Sequence, residues 1–216
     1  MRFELHCHTN HSHCSNLTPR LILETSKKRK LDGVCITDHD TFQGAIQVEK
    51  ANKDKNFMVV KGTEFSTPAG HLIGLFLRQQ IKYSPKQHSL KWLVDQIHKQ
   101  KGLIILAHPG TIVRFSDFSI EEYKKLDIDA VEGYNARNVF AIENSYSIKI
   151  AQQLGKPIVA GSDAHFTWEI GRNTVECDDL YSAIKTNKLK LHVQNPLVSL
   201  TTVYSHAASL LNKLIE

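Results

Sequence analysis

Short apolar runs alternate with amphipathic stretches along most of this chain. Arg2–His8, Val34–Thr37, Phe57–Lys61, Ala130–Tyr134 and Pro157–Ala160 have the length of strands. Leu103-Ile104-Ile105-Leu106-Ala107 is apolar throughout, as in a parallel strand covered on both faces. Between these runs the spacing is helical. Thr18 is a capping residue followed by Pro19, and that helix runs to about Lys30, with Gly33 in its C-terminal turn. Further helices are predicted over Phe42–Asn52, Ser89–Gln100, Ile120–Leu126, Phe140–Leu154 (stopped by Gly155), Asp179–Thr186 and Leu200–Ile215. On the last of these, Val203, Ala207, Leu210, Leu211 and Leu214 share one face, suited to packing on the sheet. Only six residues separate Glu64 from His71, too few for a helical crossover, so His71–Leu77 is expected to turn straight back as an antiparallel strand. The order predicts an α/β protein, a small irregular (β/α) barrel in preference to a doubly wound open sheet.

Residues that bind metals fall where the strand-like runs stop. His6 and His8 close the first, and His39 follows the second in Thr37-Asp38-His39-Asp40. Glu64 follows the third in Gly62-Thr63-Glu64. His71 opens the next run, His108 closes the one after it, and Asp163 and His165 follow a later one in Gly161-Ser162-Asp163-Ala164-His165. In a barrel of parallel strands these ends share one face. His6 and His8 lie two apart on a strand, so both point the same way and Cys7 points the other. Glu64 and Asp163 supply the charge that imidazole lacks, and a carboxylate can bridge two ions. The pattern reads as a multinuclear metal site with hydrolysis as its reaction class. His11, His88, His98, His192 and His206 lie off this pattern and are expected in solvated helices or loops.

Composition narrows the picture without redirecting it. With 216 residues, 41% of them hydrophobic, and no linker or repeat, the chain is expected to form a single domain over 1–216. The net charge of +5 and pI near 9.0 are compatible with phosphorylated substrates. The densest cationic run, Lys27-Lys28-Arg29-Lys30, reads as a solvated helix end. The four cysteines form no CxxC pair and read as reduced thiols. There is no signal-peptide pattern and no apolar run of transmembrane length, so a cytoplasmic protein with no membrane partner is expected.

Leu5-His6-Cys7-His8-Thr9, Ile36-Thr37-Asp38-His39-Asp40-Thr41, Gly62-Thr63-Glu64, Ala107-His108-Pro109 and Gly161-Ser162-Asp163-Ala164-His165 resemble, in order, the motifs of the polymerase-and-histidinol-phosphatase (PHP) family. The resemblance runs from residue 2 to about 175. It implies a distorted (β/α)7 barrel with a site at the C-terminal ends of its strands, two to three divalent ions (zinc, manganese or iron) and phosphoesterase activity. Carried over residue by residue, it places His6, His8, Glu64 and Asp163 on the first metal. Glu64 bridges to a second metal held by His71 and His108, and His13, His39 and His165 hold the third. At the third position Cys14, adjacent to His13, is the alternative ligand. His71-Leu72-Ile73-Gly74-Leu75 fits the family's His-x-x-Gly-Leu run.

Three divalent ions against two carboxylates leave a cationic pocket suited to a phosphate ester. The expected chemistry is in-line attack by a metal-bound hydroxide, whose pKa the metal lowers toward ~7. His39 and Asp38 are the catalytic candidates for help at the leaving group. Arg137, Arg172 and Asn135 are candidates for the substrate phosphate, with Lys61 behind them. The expected substrate is a small phosphorylated molecule, a nucleotide or short oligonucleotide. The alternatives are a 5′–3′ exonuclease on DNA or RNA ends, a histidinol-phosphate-type phosphatase, and a non-catalytic metal-stabilised module, against which the full set of nine candidate ligands argues. Oligomeric state is left open.

Overall fold

The computed structural model describes residues 1–111 and 120–194. Fifteen elements follow in order: β1 Arg2–Cys7, α1 Pro19–Lys28, β2 Gly33–Ile36, α2 Gln43–Ala51, β3 Met58–Thr67, β4 Gly70–Leu75, α3 Leu90–Lys99, β5 Leu103–Ala107, α4 Ile120–Lys124, β6 Ala130–Asn135, α5 Ala141–Leu154, β7 Ile158–Gly161, β8 Thr174–Glu176, α6 Leu180–Thr186 and β9 Lys190–His192. The helix expected over Leu200–Ile215 lies outside the described residues.

Local chemistry accounts for the helix ends. Thr18 accepts a hydrogen bond from the Leu21 amide, and Ser89 accepts one from Trp92 at 3.1 Å. α5 stops at Gly155, whose φ of 62° needs a residue without Cβ strain. The apolar stripes face inward: Ile22 and Leu23 on α1, Leu93, Val94 and Ile97 on α3.

The strands form one mixed sheet in the order β7-β6-β5-β4-β3-β2-β1-β8-β9. β1, β2 and β3 are parallel, β4 is antiparallel to both neighbours, and β5, β6 and β7 are parallel again. The sheet curls until the segment after β7 meets β1: Cys7 bridges Ala164, through His8 N–H to Ala164 O at 2.9 Å and Ala164 N–H to His6 O at 3.0 Å. Along the same edge of β1, Arg2 and Phe3 pair instead with β8, so the barrel is nearly closed rather than fully so. It departs from a regular (β/α)7 pattern at β3–β4, where Pro68-Ala69 turns a hairpin and no helix intervenes. β8 and β9 were not expected from the sequence.

Two apolar layers hold this arrangement. Leu5, Cys35, Val60, Ile73, Leu103, Ile105 and Val159 fill the barrel, while Ile22, Val34, Val48, Phe65, Leu72, Leu93, Ile97 and Leu106 join the sheet to its helices. Truncating a fully buried member such as Leu72 to Ala costs about 2–5 kcal/mol. A register slip between Glu4 and Cys7 changes which side chains of β1 face inward. This bulge lets Leu5 pack in the inner core while the adjacent His6 also faces the barrel mouth. Arg29 corrects the solvated-face expectation for the cationic run: its guanidinium donates to the carbonyls of Ile170 and Trp168 and ties α1 to the loop after β7.

Candidate metal centre

The strand ends deliver their polar side chains to one mouth of the barrel. β1 carries His6 and leads into His8, and the extension of β2 carries His39, bridged in parallel to Glu64. β3 runs further than the sequence suggested, to Thr67, so Glu64 lies within it. Ser66 pairs with His71 across the hairpin, which puts Glu64 and His71 on one face. The reversal of β4 therefore presents its beginning to the site, as the short spacing required. His108 and Asp163 follow β5 and β7 with φ of 28° and 54°, left-handed values that cost non-glycine residues energy and recur at functional sites.

Glu64 is the centre of the arrangement. Its Oε1 lies 2.8 Å from His71 Nδ1 and 3.1 Å from His108 Nε2. Its Oε2 lies 3.3 Å from His6 Nε2, 3.3 Å from His8 Nε2 and 3.2 Å from His39 Nδ1, yet is buried without a hydrogen-bond partner. Asp163 Oδ1 lies 3.2 Å from His8 Nε2 and 3.5 Å from His6 Nε2, and those two ring nitrogens are 3.1 Å apart. A buried carboxylate oxygen faced by three ring nitrogens that do not bond to it is what a cation-sized gap between donors looks like. The donor set, imidazoles with two carboxylates, suits zinc, manganese or iron. Among the described residues four overlapping groups bring one potential ligand atom per residue within 4.8 Å of one another: His6–His8–Asp163, His6–Glu64–His108, His39–Glu64–His71 and His8–His39–His165.

Eight of the nine expected ligands thus converge: His6, His8, His39, Glu64, His71, His108, Asp163 and His165. The exception is His13, which is exposed and belongs to none of the groups; His8 stands with His39 and His165 instead. Cys14 also belongs to none of the groups, but it is buried, with its Sγ 3.0 Å from His165 Nε2. The other candidates have different settings. Asp38 is buried and accepts from Thr9 N–H at 2.6 Å, Thr9 Oγ1 at 2.8 Å and Ser12 Oγ at 2.9 Å, so it anchors the loop after β1. Arg137 is buried, with Nη1 2.7 Å from His165 Nδ1 and Nε 3.6 Å from Glu169. Asn135 donates to Glu132, Arg172 reaches Gln194, and Lys61 pairs with Glu49 at 2.7 Å. His88 stacks on Trp92 and His192 pairs with Glu176, outside the cluster, but His192 lies in strand β9 and not in the helix or loop expected for it.

Several supporting residues escaped the sequence reading. Glu132 is the main one: Oε1 accepts from His6 Nδ1 at 3.0 Å, while Oε2 accepts from the His108 amide at 3.1 Å and from Asn135 Nδ2 at 2.9 Å. It turns His6 Nε2 toward the cluster, the usual way an outer carboxylate sets a ligand's tautomer. Glu169 accepts from the amides of His165 and Phe166, and Ser12 from the amide of His39. Glu4 accepts from the amides of His6, Ser162 and Gly171, and burial raises its pKa. The available signal was position: Glu132 interrupts an apolar strand, and Glu4 is a lone acid between Phe3 and Leu5.

The electrostatics fit a cation cage. Burial opposes charge on His6, yet Glu132, Asp163 and Glu64 raise its pKa well above the usual imidazole value. Burial alone would raise that of Glu64, but His39, His71, His6 and the His108 hydrogen bond hold it well below the carboxylate range. Burial lowers His165, reinforced by Arg137 and His8, which keeps it neutral and fit to ligate. The mouth opens beside His39 and His71, whose side chains are 25% and 23% exposed; the other members are at least nine-tenths buried.

The PHP domain profile matches residues 4–162, and a PHP-associated profile matches 141–189. The chain belongs to the PHP family. An uncharacterized protein of Methanocaldococcus jannaschii is 34% identical over 166 residues, which cover 71% of this chain and 94% of that one. The PHP fold recurs in a two-domain Bacteroides vulgatus protein containing a predicted PHP-like metal-dependent phosphoesterase, with a TM-score of 0.72 and 15% identity. That match covers 90% of this chain, which spans 65% of the Bacteroides one. A Bifidobacterium adolescentis protein assigned to the metal-dependent phosphoesterases matches with a TM-score of 0.61 and 17% identity, over 76% of this chain and 88% of that one. No helix among the described residues is long and apolar enough to cross a membrane.

Proposed function

We propose that this PHP protein hydrolyses a phosphate ester of a small molecule, a nucleotide or short oligonucleotide, with the aid of two to three divalent ions held by the cluster. The observation that carries the reading is Glu64, a buried carboxylate ringed by His6, His8, His39, His71 and His108. The descriptions of the two fold neighbours as phosphoesterases support it. When bound, the ions supply Lewis acidity toward phosphoryl oxygens and acidify water.

The chain's own residues do the rest. His6, His8 and Asp163 form the deep end of the cage, Glu64 joins it to the outer end, and Glu132 and Glu169 fix the ligand geometry. His39 and His71 form the edge where a phosphoester meets the cluster. Asp38 acts through Thr9 and Ser12 as a positioning residue, and not as the proton donor to the leaving group. Arg137 compensates Glu169 beneath His165.

The test is elemental analysis of protein purified without chelator, followed by a phosphate-ester panel that includes nucleoside bisphosphates and 5′-labelled oligonucleotides. Two to three ions per chain and phosphate release are expected. Full metal content with no ester cleaved would overturn the reading, and degradation of oligonucleotides alone would replace it with the exonuclease.

A further inference from the structure

The turn after β1 brings a thiol to the cluster and turns the neighbouring imidazole outward. Ser12 N–H bonds to Thr9 O and Ser15 N–H to Ser12 O, both at 3.0 Å, and the Ser15 hydroxyl lies 3.1 Å from both His8 O and His165 O. Pinned to both sides of the barrel seam, the turn buries Cys14 and leaves His13 exposed. Cys14 Sγ lies 3.0 Å from His165 Nε2. The other ring nitrogen, Nδ1, lies 2.7 Å from the carbonyl oxygen of Asp163, and donating to it places the ring proton on Nδ1 and leaves Nε2 as the lone-pair nitrogen turned to the thiol.

Charge singles out the same place. Of the four groups of potential ligand atoms among the described residues, three contain Glu64 or Asp163. His8–His39–His165 contains no acid of its own; Glu64 Oε2, 3.2 Å from His39 Nδ1, and Asp163 Oδ1, 3.2 Å from His8 Nε2, belong to the neighbouring groups that share those imidazoles. Resting on the reading of the cluster as a metal centre, we infer that Cys14 binds, as a thiolate, the ion held by His8, His39 and His165. Sulfur with three nitrogens is a tetrahedral, soft donor set. It favours zinc over manganese, unlike the carboxylate-bearing positions beside it. On binding, the S–H bond gives its proton to solvent and the sulfur lone pair goes to the ion; no electrons are transferred.

The experiment reloads chelator-stripped protein with cobalt(II), in the wild type, Cys14→Ser and His13→Ala. A near-ultraviolet thiolate-to-cobalt band is expected in wild type and His13→Ala and is lost in Cys14→Ser, which also holds less cobalt. Zinc-loaded wild type needs no variant: its X-ray absorption should show a sulfur neighbour at about 2.3 Å. Cobalt bound without the band, a band that survives Cys14→Ser, or a zinc shell with no sulfur would each overturn the assignment. Failure to take up any metal would overturn the metal centre itself.

Discussion

Glu132→Gln removes one charge and almost no volume, and its effect follows from three hydrogen bonds. Glu132 accepts from His6 Nδ1 on one oxygen and from the His108 amide and Asn135 on the other. Glutamine has one accepting end and one donating end. With its oxygen toward His108 and Asn135, the NH2 group faces His6 Nδ1 and drives the imidazole proton to Nε2. That nitrogen faces Glu64 and His8, and a protonated Nε2 cannot ligate. With the amide flipped, His6 keeps its tautomer, but the NH2 group meets two N–H donors in a buried site. Unsatisfied groups of this kind cost about 1–3 kcal/mol. Either way metal affinity should fall about 10–100-fold, the usual effect of losing an outer-shell carboxylate, or about 1.4–2.8 kcal/mol. The assay is competition for zinc and manganese against a chromophoric chelator, run beside turnover of a reactive phosphate ester. A folded Glu132→Gln protein with wild-type affinity for both ions would refute the reasoning.

Glu64→Gln removes the charge shared by two of the ligating groups, so turnover should drop by at least about 100-fold, equivalent to about 2.7 kcal/mol of barrier; steady-state kinetics with metal counting tests it. Stripped of metal, the protein should lose stability as pH rises from 6.5. His6 and His8 both have raised pKa values, so their contribution is complete below the unfolded value of 6.5 and is lost as pH passes through the folded ones. Melting curves with and without metal should diverge increasingly above that pH, and parallel curves would contradict it. A methyl group at Gly44 would collide with Asp38 Oδ2 and Thr9 Oγ1, so Gly44→Ala should cost about 1–3 kcal/mol in urea unfolding. Arg137→Ala should weaken metal retention by His165 more than it raises KM, because Arg137 is buried against that residue.

Much of the site was legible because strand parity and strand ends are simple geometry. Two-residue spacing put His6 and His8 together, and the gap between Glu64 and His71 was too short for anything but a hairpin. His13 and Cys14 show where that logic stops. Neither is on a strand, and a turn fixed by Thr9, Ser12 and Ser15 decides which side chain faces inward. Spacing also said nothing of Glu132, since its role depends on β6 lying beside β5 and β7, or of Glu169, which acts from a loop. Arg137 reads as a phosphate candidate because arginines often bind phosphate; its burial beside Glu169 and His165 is a tertiary placement that spacing does not reveal. β8 and β9 are three residues each, shorter than any periodicity can reveal.

The seam between β1 and the segment after β7 gives the metals a second consequence, in biogenesis. The ligands run from His6 to His165, with His6 and His8 on one lip of the seam and Asp163 and His165 on the other. A chain emerging from the ribosome holds pairs and triples of donors long before it holds the full cage. Closure joins segments far apart in sequence, the kind of contact that forms late and slowly. Tight metal binding would therefore belong to the finished barrel, where the full set of candidate ligands first comes together. Ions seated there would rivet the lips of a sheet that β8 keeps from closing along its whole length.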